Sequence, residues 1–240
     1  MILAAGARGA ELRSGNVTGL SRDAGGRVRG VEVEGEVIEG DAVVIAMGPW
    51  STLAARWLSL PGVYGLKGHS IVFATRTEVP PEALFLEFPD DTGEMLSPEV
   101  FPRADGTTYV CAVSSATPLP ADPTQVAPDP GAMERLEVLC SRLSPALTPS
   151  RIIAPQACYR PVTQDGLPLI REVPDSPGTY VASGHSVWGI LNAPATAEAL
   201  SKLIFHGDRD AVDLSPFSPG RRNLASRVTR ETRSACGTAR

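Results

Sequence analysis

Tyr159-Arg160-Pro161-Val162-Thr163-Gln164-Asp165-Gly166-Leu167-Pro168-Leu169-Ile170, then Thr179-Tyr180-Val181-Ala182-Ser183-Gly184-His185, then Gly189-Ile190-Leu191-Asn192-Ala193-Pro194 through Thr196, form the stretch on which the fold is read. An apolar strand that closes on glycine and feeds into a helix N-terminus is a common way to build an anion or cofactor site. The helix start offers unpaired N–H groups and the positive end of the helix dipole. Pro194 is expected to fix the first helical position. The helix should run to His206 along an Ala197, Leu200, Ile204 stripe and stop at Gly207. An ordinary strand-to-helix turn satisfies the same pattern equally well.

Arg160 precedes Pro161, which holds its backbone extended and aims the side chain off a strand end. A guanidinium there, beside Tyr159, can hold a carboxylate bidentately or simply pair with a surface acid. Asp165-Gly166 is a turn signal, with Thr163 and Asp165 free to bond the local backbone. His185 reads first as a hydrogen-bonded structural histidine, and Cys158 as a buried small hydrophobe.

Working outward, Ala42–Gly48 (AVVIAMG) is a short β-branched run, as expected for a strand buried on both faces of a sheet. It closes on Gly48-Pro49-Trp50, and Ser51 is placed to cap a helix over residues 52–60. Upstream, Met1–Gly9 reads as the last turns of a helix, and Val28–Ile38 as a hairpin with one wet face. Downstream, Lys67-Gly68-His69 reads as a turn into the strand His69–Thr75. Ala83–Phe88 and Thr107–Val113 continue a largely antiparallel sheet. A proline-rich loop from Pro118 to Pro130 ends with Asp129 as N-cap and Pro130 at the first helical position. Leu136, Leu139, Cys140 and Leu143 lie on one face of the helix that follows.

The 240 residues, 42% of them hydrophobic, are enough for a sizeable core. No run approaches the roughly 18 apolar residues of a membrane helix, so no membrane partner is expected. The four cysteines, Cys111, Cys140, Cys158 and Cys236, lack metal-ligand spacing and read as reduced thiols of a cytoplasmic protein without a metal site. Residues 220–240 carry six arginines and one glutamate, so this tail carries +5 and the remainder of the chain −10. It is expected to be disordered and solvated rather than bound to nucleic acid.

At these residues the chain resembles the D-amino-acid-oxidase-like superfamily of FAD-dependent oxidoreductases, which includes glycine and sarcosine oxidases. Val43–Ser51 (VVIAMGPWS) is similar to the family's V-V-x-A-x-G-x-W-S strand, and Tyr64–Phe73 (YGLKGHSIVF) to its crossing into the substrate domain. Tyr159–Ile170 resembles R-P-x-T-x-D-G-x-P, and Gly184–Thr196 resembles G-H-x-x-x-G-I-x-x-A-P-A-T. Departures are Arg171, Ser186 and Ala197, where glycine is usual. No G-x-G occurs anywhere, so the turn that cradles the FAD pyrophosphate is expected to be missing from a chain that starts inside the helix after it.

The resemblance implies a mixed α/β and α+β architecture, the C-terminal part of a glutathione-reductase-like FAD-binding domain with an inserted, largely antiparallel substrate sheet. The expected organisation is FAD-binding domain over 1–63, substrate domain over 64–157, FAD-binding domain again over 158–219, and the basic tail over 220–240. The implied activity is oxidation of a C–N bond of an amino acid or secondary amine by hydride transfer to flavin N5, giving an imine that water hydrolyses; oxygen or another carrier is the electron acceptor. The implied catalytic residues are Arg160, on the substrate carboxylate, and His185. Gly48, Trp50, Gly184, Gly189, Ile190, Leu191, Asn192 and Ala193 would lie around the flavin. Cys158 falls where sarcosine-oxidase-like members attach flavin covalently, although those members lack an arginine at the place of Arg160. The competing expectation is a truncated, inactive ligand-binding or interaction module without stable FAD.

Overall fold

The computed structural model describes residues 1–207 and 212–221. A short helix, α1 (Ile2–Gly6), is followed by β1 (Val17–Arg22), β2 (Val28–Val33) and β3 (Glu36–Glu39), an antiparallel three-stranded sheet. The expected hairpin is present as β2 and β3, and β1 extends it. Glycine and polar positions in Val17-Thr18-Gly19-Leu20-Ser21-Arg22 had hidden that strand.

β4 (Val43–Ile45) leads into a nine-residue 3-10 segment, Gly48–Arg56, rather than an α-helix capped by Ser51. The turn starts at Gly48 because Pro49 presets the first helical φ, and Ser51 is buried instead. β5 (Val63–Ala74) is one 12-residue strand, so Lys67-Gly68-His69 lies in its middle and forms no turn. The short strands β6 (Leu84–Phe85), β7 (Phe88–Pro89), β8 (Met95–Leu96) and β9 (Glu99–Pro102) lead to β10 (Thr107–Ser115). Next come α2 (Ala132–Leu143), β11 (Ile152–Thr163), β12 (Leu169–Glu172), β13 (Thr179–Ser183) and α3 (Gly189–His206).

The main sheet is antiparallel in the order β11-β5-β10-β9-β6. One face, carrying Ile71, Phe73, Val110 and Val113, packs on Leu136, Leu139 and Cys140 of α2. The predicted apolar face of that helix is therefore the one the sheet buries. Its start differs: Gly131, with φ of 76°, stands at the N-cap, and Asp129 is drawn away into the sheet. β11 belongs wholly to this sheet, so the expected boundary at residues 157/158 falls inside one continuous strand.

The second sheet is β12-β13-β4, with β13 and β4 parallel. Ile45, Leu169 and Val181 pack with Ala54 of the 3-10 segment and Leu58 just after it on one face; Ile170 and Tyr180 pack with Leu200 and Leu203 of α3 on the other. β4 is not covered on both faces: Ile45 is buried, but Val44 is 42% exposed in a groove beside α3. The stripe of α3 is likewise shifted, with Ala199, Leu200 and Leu203 buried and Ala197 lining the groove. Gly207 ends α3 with φ of 61°, as its position predicts. Gly220 and Arg221 are part of the fold, and the rest of the basic tail lies outside the described residues.

Candidate functional site

The end of β13 meets the exit of β4. The Ser183 hydroxyl donates to the Gly48 carbonyl at 2.9 Å and accepts from the Ser51 hydroxyl at 2.9 Å, which ties the two strand ends together. Gly184 then turns with φ of +83°, and a Cβ there would lie 2.7 Å from Thr163 Cγ2. Glycine is required on both counts. The next residue, His185, places Nε2 3.1 Å from Thr196 Oγ1, bracing the turn against α3. Burial holds the His185 pKa below its ordinary value, so the imidazole is neutral at pH 7.

α3 begins at Gly189, five residues before the proline expected to start it. Pro194 sits inside the helix, where its missing N–H forgoes a bond to the Ile190 carbonyl. The N–H groups of the first turn therefore belong to the glycine-containing segment itself, which the chain enters from a 3-10 turn over Ser186–Trp188. No side chain caps them, and no acidic residue stands in that turn to offset the dipole. Space beside Gly189 is open, the nearest heavy atom to a Cβ there being His185 Cβ at 3.7 Å. Two grooves flank this helix start. One, of about 880 Å³, runs along β4 and includes Gly189 and Ala193; the other, of about 590 Å³, includes Gly184, Trp188, Asn192 and Leu66. No carboxylate lines the second.

Strand register connects this groove to Arg160. Directly paired residues share a sheet face and alternate residues repeat it. Val162 pairs with Tyr64, Arg160 with Leu66, and Cys158 with Gly68, so all six lie on the face opposite α2. That face runs from the groove at α3, where Tyr64, Leu66 and Val162 line the wall, past Arg160 to Ser114 and Cys111 on β10. Arg160 is half-buried and forms no ion pair among the described residues; its Nη1 donates to the Ser114 hydroxyl at 3.3 Å. The expected burial of Cys158 does not hold, since its thiol is free and exposed on this face.

The implied site residues do not all converge. Gly48, Gly184, His185, Gly189, Asn192 and Ala193 gather at the start of α3. Ile190 and Leu191, 95% and 72% exposed, turn outward from the same helical turn. Trp50 lies apart, its indole N–H donating to the Pro120 carbonyl at 2.8 Å in a different groove with Met47 and Trp57. A buried ionic group went unread in the sequence. Lys67 Nζ lies 2.6 Å from Asp129 Oδ1, the Asp129 N–H donates to Nε2 of the fully buried His69, and Ser115 and Thr117 bond Oδ2. Lys67 holds the Asp129 carboxyl well below the usual carboxylate range, with both hydroxyls assisting. The signal was the alternation Lys67, His69, Ile71, Phe73 along one strand face. Among the described residues no cluster of metal-binding side chains occurs, and no helix is long and apolar enough to cross a membrane.

Comparison with known proteins places this geometry. The family described as FAD dependent oxidoreductase (DAO) matches residues 1–203. A Saccharomyces cerevisiae protein named as an oxidoreductase, TDA3, is 32% identical over 192 residues, 77% of this chain and 35% of its own length. Glycine oxidase of Pseudomonas putida is 29% identical over 205 residues, 85% of this chain and 52% of that enzyme. The crystal structure of glycine oxidase from Geobacillus kaustophilus superposes with a TM-score of 0.70 at 29% identity, covering 86% of this chain and 52% of that one. The chain thus spans about half the length of the glycine oxidases it matches.

Proposed function

Because the chain belongs to the DAO family of FAD-dependent oxidoreductases, we propose that it forms the substrate-facing part of a flavoenzyme that oxidises a C–N bond of an amino acid or secondary amine. The observation that carries this reading is the unpaired, half-buried Arg160 on the sheet face that leads to the uncapped start of α3. A cation without a counter-ion among the described residues, on the wall of a binding face, is poised for a ligand carboxylate. The start of α3 suits an electron-rich ligand edge: a positive dipole end with no side-chain cap and no acidic residue, and open space at Gly189.

The residues fit FAD at its ring end. Gly184, Gly189, Asn192 and Ala193 would line the flavin, and the Gly48 turn would lie close by through its bond to Ser183. When bound, FAD supplies the two-electron acceptor, and oxygen or another carrier would reoxidise it. Arg160 anchors the substrate carboxylate and so fixes which carbon faces the cofactor. His185, neutral and bonded to Thr196, holds the helix start in place and is a positioning residue.

Visible absorbance of the purified chain, with and without added FAD, tests this reading. Flavin bands that persist through gel filtration are the expected result. A folded, colourless protein that retains no added FAD would overturn it and leave a non-catalytic binding module.

A further inference from the structure

We infer that the cavity beside Arg160 is a subsite for a zwitterion, in which Arg160 takes a carboxylate and Glu99 takes an ammonium or N–H group several bonds away on the same molecule. The inference rests on the carboxylate-binding reading of Arg160 and extends it to substrate class.

The cavity, about 350 Å³, lies on the same sheet face as Arg160 and is walled by Glu99, Cys111 and Ser114. Arg160 reaches it by lying across the neighbouring strand. At the crossing point stands Gly68, where a Cβ would come within 3.2 Å of Nη2 and 3.3 Å of Cζ. Gly68 is therefore a positioning residue for the guanidinium. Without that gap the side chain would lift off β5 toward solvent.

Glu99 enters the cavity from β9 through its pairing with Cys111, whose thiol donates to Oε2 at 3.5 Å. It forms no ion pair among the described residues. The other acid at the rim, Glu94, is paired at 2.7 Å with Arg135, which also pairs with Asp90. Two opposite, unpaired charges thus share one cavity without meeting, because β10 holds them apart: Ser114 bonds Arg160 and Cys111 bonds Glu99. Cys111 and Ser114 lie opposite Ser70 and Gly68, two strand positions apart, so the irregularity between Cys111 and Val113 leaves roughly 7 Å between these two points of β10 at about 3.3 Å per residue. A ligand that bonds both side-chain ends therefore carries its carboxylate and its nitrogen at the two ends of a short chain. Burial and the adjacent Glu99 charge push the Cys111 thiol up to about 11, with Arg160 opposing, which agrees with both charges acting on the same point. The fitting class is a short ω-amino acid, or an amino acid whose side chain ends in an N–H donor.

Calorimetric titration of the whole chain with 4-aminobutanoate, butanoate and butylamine tests the subsite. 4-Aminobutanoate should bind about tenfold tighter than either single-ended probe, the worth of one charge-assisted hydrogen bond. Glu99→Gln should bring 4-aminobutanoate close to butanoate while leaving butanoate unchanged, and Arg160→Leu should weaken both. Gly68→Ala should weaken both less than Arg160→Leu does. Equal affinity of the native chain for 4-aminobutanoate and butanoate, a preference that survives Glu99→Gln, or no binding of any probe would overturn the inference. A colourless chain that still prefers the zwitterion rejects the flavoenzyme and keeps the subsite; a yellow chain without the preference does the reverse.

Discussion

Replacing Arg221 by alanine should destabilise the fold by about 2 kcal/mol at pH 7, through the loop that supports Gly184. Arg221 donates from Nε to Asp165 Oδ2 at 2.7 Å and from Nη2 to Oδ1 at 2.8 Å, and it also bonds the carbonyls of Leu167 at 2.7 Å and Pro168 at 3.0 Å. The two side chains are only 12% and 9% exposed. Removing one partner of a buried pair costs about 3–5 kcal/mol. Here the carboxylate keeps the Leu167 N–H and the Thr163 hydroxyl, both at 3.2 Å, so the cost falls below that range, to about 2 kcal/mol. Acid titration gives a second handle. Arg221, first among the causes, holds the Asp165 pKa down at about 2. Because that folded value lies below the ordinary carboxylate value, the contribution is fully present above roughly pH 5 and is lost as pH falls toward 2. About half of it should be gone by pH 3. Urea unfolding, followed by tryptophan fluorescence at pH 7 and pH 3, measures the gap between native protein and Arg221→Ala. An unchanged midpoint at pH 7, or a gap that widens in acid, would refute this account of the clamp.

Gly184→Ala should cost about 1–3 kcal/mol from its positive φ and its clash with Thr163 Cγ2, whereas Gly189→Ala, with open space at its Cβ, should leave the thermal midpoint nearly unchanged. Lys67→Met should lower stability by about 3 kcal/mol, because its partner Asp129 stays charged beneath the proline-rich loop. Arg13→Ala, which breaks an exposed pair with Glu11, should leave the urea midpoint where it was. If the purified protein is yellow, acid precipitation should release the colour into the supernatant, since Cys158 shares its strand face with Arg160; colour retained in the pellet would instead assign a covalent flavin link to that thiol.

What the sequence made legible was local and periodic. The four-residue face of α2 and the glycine stop of α3 follow from helical spacing and left-handed backbone alone. The main sheet's antiparallel character followed from strands separated by turn signals. The failures share a physical origin in tertiary competition. Asp129 is a good N-cap residue by type, yet a buried ammonium 2.6 Å away outbids the backbone N–H groups of α2. Pro194 is a good first helical residue, yet three small or apolar residues before it, Gly189, Ile190 and Leu191, continue the helix one turn further toward the strand. Lys67-Gly68-His69 looked like a turn because its residue types favour loops. Only pairing to both β10 and β11 makes it the centre of a sheet.

The same pairing decides how the candidate site is assembled. Arg160 on β11 and Gly184 just past the end of β13 are 24 positions apart, and nothing in their spacing states which side of β11 the guanidinium takes. Register does: a shift of one residue on β11 would turn Arg160 toward α2 and bring Tyr159 to the open face. Two contacts hold that register. Tyr159 is pinned on the α2 side by its hydroxyl bond to the Pro118 carbonyl at 2.8 Å, with the buried Lys67 ammonium 5.6 Å from its ring. On the other side only Gly68 leaves room for the guanidinium to cross. The buried ionic group under the proline-rich loop therefore bears on the chemistry without touching it, because it fixes the strand pair on whose opposite face the arginine stands.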